Sequence, residues 1–347
     1  MPASSAAPTS PYDSSALGLP IADLELASRL AERLTRVDEA LSEAVASTDQ
    51  LADGASRHLV DAGGKRFRPL LTLLTSELGD RTAPGIVAAA VVVELTQVAS
   101  LYHDDVMDSA PMRRGAPSAH MVWGNSVAIL VGDMLLARAS VRGAELGPGA
   151  VILQARTFER MCMGQLHETM GPADGEDRVA HYLQVLSDKT ASLLSASARL
   201  GAMIAGAPTE QIEAVGAFGE KAGVAFHLAD DVLDVVSSGE TSGKTPGTDL
   251  REHVPTMPVL LLRQHVASGS ATDDDRNLLA TLDGDLSSDE ILATVLERLR
   301  AHRVLAETRD LAGEWARAAS AELSPLPAGP VKESLEQFAQ ALADRAA

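Results

Sequence analysis

Two acidic clusters interrupt stretches of this chain that otherwise belong in a protein core. Asp104-Asp105-Val106-Met107-Asp108 follows an apolar run containing Val91-Val92-Val93 and Leu101, and Asp230-Asp231-Val232-Leu233-Asp234 follows Val224, Ala225, Phe226 and Leu228. Both runs read as helices, in which residues four apart share a face, so Asp104 points with Asp108 and Asp230 with Asp234. A lone acidic cluster on a helix is ordinarily solvated surface. On predominantly apolar helices, gathered carboxylates need a cation instead. Carboxylate oxygens are the hard ligands Mg²⁺ prefers, and the ion takes one or two of them while phosphates and water complete its shell. The chain is thereby expected to fold with the two clusters facing each other across a cavity, where they clamp a diphosphate through several ions.

The rest of the pattern is helical. From Ile21, the residues Leu24, Leu30, Leu34, Val37, Leu41 and Val45 recur at three- and four-residue steps, the mark of one buried stripe. Similar periodicity continues almost to Ala347, broken at Gly63-Gly64, Gly79 to Pro84, Ala110 to Pro117, Gly147-Pro148, Gly171 to Gly175, Ala207-Pro208, Ser237 to Pro255 and Leu323 to Pro330. Alternating β-branched or aromatic runs are nearly absent. The expected class is all-α, with residues 1–20, rich in Ala, Ser and Pro, as a disordered leader and 21–347 as one large helical bundle around a central cavity. At 347 residues and 46% hydrophobic content the chain can bury a large core.

Charge narrows the partners. With 29 Lys+Arg against 48 Asp+Glu the net charge is −19, which disfavours nucleic acid or an anionic membrane surface. An anionic substrate must then be met by local cations. Gly63-Gly64-Lys65-Arg66-Phe67-Arg68-Pro69 places three of them at a glycine turn entering a helix, where exposed N–H groups also favour anions. Arg113-Arg114-Gly115 follows the first acidic cluster closely, and guanidinium forks bind diphosphate oxygens bidentately. Cations beside carboxylates suggest two anionic substrates, one carried on Mg²⁺ and one directly on Arg and Lys, a separation that orients a reaction between them. Lys189-Thr190 in a helix-like run, Lys244 in a Gly-rich stretch, and Gln165 with Glu168 on one helix face would each alone read as surface or structure. His103 reads as a hydrogen-bonded neighbour of Asp104. Cys162, the single cysteine, permits no intrachain disulfide, fits a reducing compartment and reads as a small core residue between Met161 and Met163. No secretory signal and no apolar stretch long enough to span a bilayer is evident, so a soluble cytoplasmic protein is expected.

In order, GGKRFRP, HDDVMDSAPMRRG, GDMLLARA, DKTA, FHLADDVLD and GKTPGTDL resemble the trans-isoprenyl diphosphate synthases, or polyprenyl synthases, from about residue 21 to 260. The resemblance implies an all-α prenyltransferase that joins isopentenyl diphosphate to an allylic diphosphate head to tail. By position it implies Mg²⁺, as three ions, on Asp104, Asp108 and Asp230, with Asp105, Asp231 and Asp234 in support. Arg113, Lys189 and Lys244 would contact the allylic diphosphate, and Thr190 and Gln165 would lie among the substrate contacts. Gly64, Lys65, Arg68, Gln97 and Arg114 would hold isopentenyl diphosphate. It further implies a homodimer, and transient membrane contact when product leaves. This chain departs from the family at His227, commonly Gln, at Gln97, commonly His, and at His253-Val254, often Gly-Lys.

Helical geometry puts Ser100 and Ala99 one turn below Asp104, with Thr96 farther back, on the side a growing prenyl chain must pass. All three are small, so the expected products run from heptaprenyl to decaprenyl diphosphate, with quinone side chains as the implied use. A floor capped from another helix, by Met134 or Phe158, would give geranylgeranyl diphosphate instead. The rival classes are a terpene cyclase, which carries an Asn/Ser/Glu-type second motif, a phosphohydrolase, which needs further spaced His ligands, and a non-catalytic prenyl-binding subunit, which usually loses one acidic cluster.

Overall fold

The computed structural model describes residues 21–236, 247–252 and 254–346. The leader at 1–20, Lys244 and His253 lie outside them. Among the described residues the architecture is all-α, with one two-residue antiparallel hairpin, Met112–Arg113 against Ala116–Pro117.

The chain forms two compact units. The first takes the described residues up to Gln154, together with Ser197–Glu213 and Pro325–Gln337. It begins with α1 (Leu24–Val45), α2 (Gln50–Asp61), α3 (Phe67–Ser76), α4 (Ile86–Met107), α5 (Ala119–Trp123) and α6 (Asn125–Glu145). Asp23 caps α1 by accepting from the Leu26 N–H at 2.8 Å, and Asp49 caps α2 through Ala52 at 2.9 Å, satisfying donors a helix start leaves open. The α1 stripe of Leu26, Leu30, Leu34, Val37 and Leu41 is buried with Leu70, Leu71, Leu73 and Leu74 of α3 and Ala89 to Val93 of α4.

Helix α4 is buried nearly all round, as a central helix is. By length and composition it could cross a membrane, which corrects the expectation that no stretch is long enough. Most of it is enclosed by protein, and Glu94, at its middle, is itself buried with an ion-pair partner. Gly132 of α6 brings that helix onto α4: a Cβ there would collide with the His103 ring. His103 in turn lies 3.2 Å from the Ile129 carbonyl and 3.2 Å from Asp133, both on α6.

The second unit takes Ala155–Ala196, Ala214–Ser324 and Phe338–Ala347. Helix α7 (Pro148–Met170) reaches it from the first unit. Next come α8 (Arg178–Leu186), a π-helical turn (Ser187–Ala191), α9 (Ser192–Ile204) and α10 (Thr209–Val236), then α11 (Thr248–Arg251) and α12 (Met257–Ala267). Four more helices complete the chain: α13 (Asp273–Leu282), α14 (Asp289–Ala301), α15 (Arg303–Glu322) and α16 (Pro330–Ala343). One core cluster joins Val232 and Val235 to Leu262, Leu278, Val295, Leu299 and Val304, and another joins Tyr182, Leu186, Val224 and Leu228 to Met257 and Leu260. Cys162 is exposed, not the core residue expected, because buried Met161 faces inward and the next two positions rotate away.

Candidate active site

The two acidic motifs share one local geometry. In the first, Asp105 is fully buried while Asp104 is partly and Asp108 well exposed; in the second, Asp231 is 3% exposed while Asp230 and Asp234 are partly exposed. Adjacent helical residues are rotated by about 100°, so the first and fifth carboxylates share a partly open face and the second enters the core, one oxygen of Asp234 also being enclosed. Asp105 and Asp231 are thereby turned away from the partly open face on which a metal ligand or a substrate contact would stand. Each is an anchor.

Asp105 accepts from Arg113 Nε at 2.6 Å, and its Oδ2 is buried with no hydrogen bond. Burial pushes its carboxyl above the usual range, and Arg113 opposes that rise. Asp231 takes the Tyr182 hydroxyl at 2.8 and 3.0 Å and the Met257 N–H at 2.9 Å, joining α8, α10 and the start of α12. Its carboxyl is held well above the ordinary range by burial, against those hydrogen bonds. The same burial, with Asp231 beside it, raises the Tyr182 phenol.

The cationic loop of the first unit is divided in the same way. Gly63 and Gly64 adopt φ of +85° and +142°, which favour glycine, and Arg66 follows at +50°. That left-handed turn sends Lys65 outward and Arg66 inward. Arg66 donates to Asp38 at 2.9 Å and to Glu94 at 2.8 Å, so it is a buried tie and not one of three cradle cations. Lys65 is exposed, with its ammonium 5.8 Å from the Phe67 ring, and Arg68 is partly buried on the first turn of α3. Arg114 joins this group from the turn of the hairpin, between Arg113 and Ala116. A Cβ on Gly64 would lie 3.0 Å from its guanidinium carbon, and Nη1 donates to the Leu59 carbonyl at 2.6 Å. Along α4, Gln97, Ser100, Leu101 and Asp104 occupy one incompletely covered face, whereas Ala99 and Thr96 are enclosed, Thr96 donating to the Val92 carbonyl. Of the three small floor residues, only Ser100 lies on the accessible face.

In the second unit, Lys189 and Thr190 stand on the π-turn rather than on a regular helix. Such turns arise where packing forces an extra residue into the helix, and they recur at functional sites. Two glycines admit it. A Cβ on Gly164 of α7 would lie 2.5 Å from the Lys189 amide nitrogen, and one on Gly223 of α10 would lie 2.5 Å from Ala191 Cα. Arg160 ties the turn down, donating to Asp188 at 2.9 Å and to both Glu220 oxygens at 2.6 and 3.0 Å, contacts that raise its pKa. The Lys189 ammonium pairs with Glu168, and Thr190 lies 3.1 Å from His227 Nδ1. Gln165 Oε1 is buried and accepts no hydrogen bond. Arg345, near the C-terminus, lies 3.2 Å from Asp230 with its guanidinium over Phe226 at 4.8 Å. No motif marked Arg345, Tyr182 or Glu94 in the sequence; only their contacts reveal them.

Among the described residues no three His, Cys, Asp or Glu side chains gather into a protein-only metal cage. Paired oxygen donors one turn apart suit an ion that takes one or two protein carboxylates and completes its shell with phosphate and water, so these residues fit Mg²⁺ on a diphosphate.

Residues 49–299 match the family model described as Polyprenyl synthetase. The chain belongs to the polyprenyl synthetase family. It is 41% identical over 319 residues to the nonaprenyl diphosphate synthase of Mycobacterium tuberculosis, covering 92% of this chain and 94% of that protein. Among solved structures, the polyprenyl synthase from Caulobacter crescentus, complexed with calcium and isoprenyl diphosphate, superposes with a TM-score of 0.84 at 30% identity, over 96% of this chain and 98% of that one. The geranylgeranyl pyrophosphate synthase from Corynebacterium glutamicum gives a TM-score of 0.82 at 41% identity, over 94% and 98%. A polyprenyl synthetase carrying this all-α fold is a prenyltransferase.

Proposed function

We propose that this prenyltransferase condenses isopentenyl diphosphate head to tail with an allylic diphosphate, farnesyl or geranylgeranyl, and makes heptaprenyl to decaprenyl diphosphate. The observation that carries the reading is the repeated geometry of the acidic motifs, each a buried anchor flanked by two outward carboxylates on a rigid helix. Asp104, Asp108, Asp230 and Asp234 are the proposed metal ligands. When bound, Mg²⁺ supplies the charge that stabilises the departing diphosphate of the allylic substrate.

The protein's own groups do the rest. Arg113, Lys189, Thr190 and Gln165 are assigned to binding and orienting the allylic diphosphate, with Lys244 assigned to the same task by position. Gly64, Lys65, Arg68, Gln97 and Arg114 hold isopentenyl diphosphate, so that two similar headgroups keep separate places. Once the allylic C–O bond ionises, the double bond of isopentenyl diphosphate attacks the carbocation, and the released diphosphate takes the proton. Longer products are supported by the similarity to the nonaprenyl synthase and by Ser100, a small residue on the accessible face of α4 one turn before Asp104. Geranylgeranyl diphosphate is the second reading, favoured by the Corynebacterium relative. A homodimer is supported by the exposed Ile129, Leu130 and Val141 of α6 with Met121 and Val122 of α5, an apolar surface that a partner subunit would cover.

The test is incubation with isopentenyl diphosphate and each allylic primer, with Mg²⁺ or with a chelator, followed by chromatography of the dephosphorylated products. Elongation past geranylgeranyl, abolished by chelation and restored by Mg²⁺, is the expected result. A product ending at geranylgeranyl selects the second reading, and no elongation from any primer refutes the synthase and favours a non-catalytic prenyl-binding subunit.

A further inference from the structure

Glu94 stands in the middle of α4, three residues before Gln97 and ten before Asp104, and it is 3% exposed. A carboxylate enclosed in an apolar helix is costly unless cations and hydrogen bonds meet it. Two guanidinium groups do. Arg66 Nη1 donates to Glu94 Oε1 at 2.8 Å, and Arg114 Nη2 approaches the same oxygen at 3.4 Å. Arg66 is held on its other side by Asp38 at 2.9 Å and the Val60 carbonyl at 3.3 Å. Arg114 is held by the Leu59 carbonyl, against the face of Gly64.

The two arginines differ in what they have left to offer. Arg66 is 7% exposed and spends three of its five N–H donors on Asp38, Glu94 and the Val60 carbonyl, all inside the protein. Arg114 has a more exposed side chain, at 16%, and spends one N–H on Leu59 and one on Glu94 from the five a guanidinium carries. Its remaining donors lie beside the glycine turn that leads into α3. Both arginines adopt positive φ, +50° and +54°, so each backbone is turned by its surroundings to bring the side chain to this one carboxylate.

We propose that Glu94 is a positioning residue for isopentenyl diphosphate, acting through Arg114: it fixes the guanidinium beside Gly64, and Arg66 with Asp38 holds Glu94 in place. This rests on the assignment of Arg114 and Gly64 to isopentenyl diphosphate. Arg113, one residue earlier, is oriented by Asp105 and stands outside the Glu94 network, so the two neighbouring arginines have separate supports. Loss of the Glu94 charge therefore affects one substrate and spares the other.

The experiment uses the full-length protein and its Glu94→Gln variant, measuring KM for isopentenyl diphosphate, KM for the allylic primer and kcat, alongside thermal melting. A charge-assisted hydrogen bond of this kind sets the scale, and the expected rise in KM for isopentenyl diphosphate is about tenfold or more. KM for the allylic primer stays within about twofold and kcat within about threefold, the pattern of lost substrate binding rather than lost transition-state contact. In an Arg114→Lys background the same substitution adds little, because residues acting through one another are not additive. Equal shifts in both KM values, a fall in kcat alone, or full additivity with Arg114→Lys would each overturn the proposal. If Glu94→Gln loses its cooperative melt, Asp38→Asn at the more exposed end of the network carries the test: a smaller shift confined to isopentenyl diphosphate supports it and unchanged KM overturns it. Absence of any condensation by the unmodified protein would instead refute the synthase reading beneath it.

Discussion

Substituting Gly164 by alanine tests whether the π-turn is held in its working shape by the close approach of α7. The added Cβ would lie 2.5 Å from the Lys189 nitrogen and 2.9 Å from its Cα. Comfortable contact needs about 3.5 Å, so helix and turn must separate by roughly 0.5–1 Å. Neither obstacle is the end of a flexible side chain; both are backbone. Overpacking of this type costs about 1–3 kcal/mol, offset by up to about 1 kcal/mol because alanine is the better helix former. The melting temperature should fall by a few degrees. Activity should fall further than stability, because a misplacement of about 1 Å at a positioned group can cost roughly a hundredfold in rate. The assay pairs a thermal melt with kcat for condensation at saturating substrates. Gly79→Ala is the control: its Cβ would strike the Ala205 backbone, a comparable clash at a distance in sequence and function from the π-turn. It should lose stability and keep its rate. The reasoning fails if Gly164→Ala melts and turns over as the unmodified protein does, or if Gly79→Ala loses as much turnover.

Two further outcomes follow from the same structure. Ser100→Phe should shorten the products while preserving the first condensation, since Ser100 is the small residue on the accessible face of α4 one turn from Asp104; chromatography showing unchanged chain length would refute the floor assignment. Asp275 caps α13 in a mutual pairing with Thr272, lies 2.8 Å from His302, and is held at about 2 by those hydrogen bonds. A depressed carboxyl contributes stability above its unfolded value that is lost as pH falls from about 4 towards 2, so Asp275→Asn should cost about 1–2 kcal/mol at neutral pH. Urea titrations should show that gap closing below pH 4, and a pH-independent gap would refute the electrostatic account.

The positions of the helices were legible because their cause is local. Apolar residues at three- and four-residue steps, Gly63-Gly64, Gly147-Pro148 and the other breaks need no knowledge of what packs where. The outward direction of Asp104 with Asp108 and of Asp230 with Asp234 follows from helical pitch in the same way. That pitch also sends Asp105 and Asp231 inward, which is why they hold Arg113 and Tyr182. Arg66 shows where such reading stops. Its charge was visible, but its direction depends on a left-handed backbone and on partners at 38 and 94.

What the residues alone determine here is the helical class, the paired acidic faces and the presence of cations near them, all properties of pattern and side-chain chemistry. Tertiary packing decides the rest: that Lys189 and Thr190 ride on a π-turn admitted by two glycines, that Cys162 faces outward, and that one buried glutamate joins two arginines. Each depends on side chains far apart in the chain competing for the same few ångströms. Spacing along the sequence carries no record of that competition.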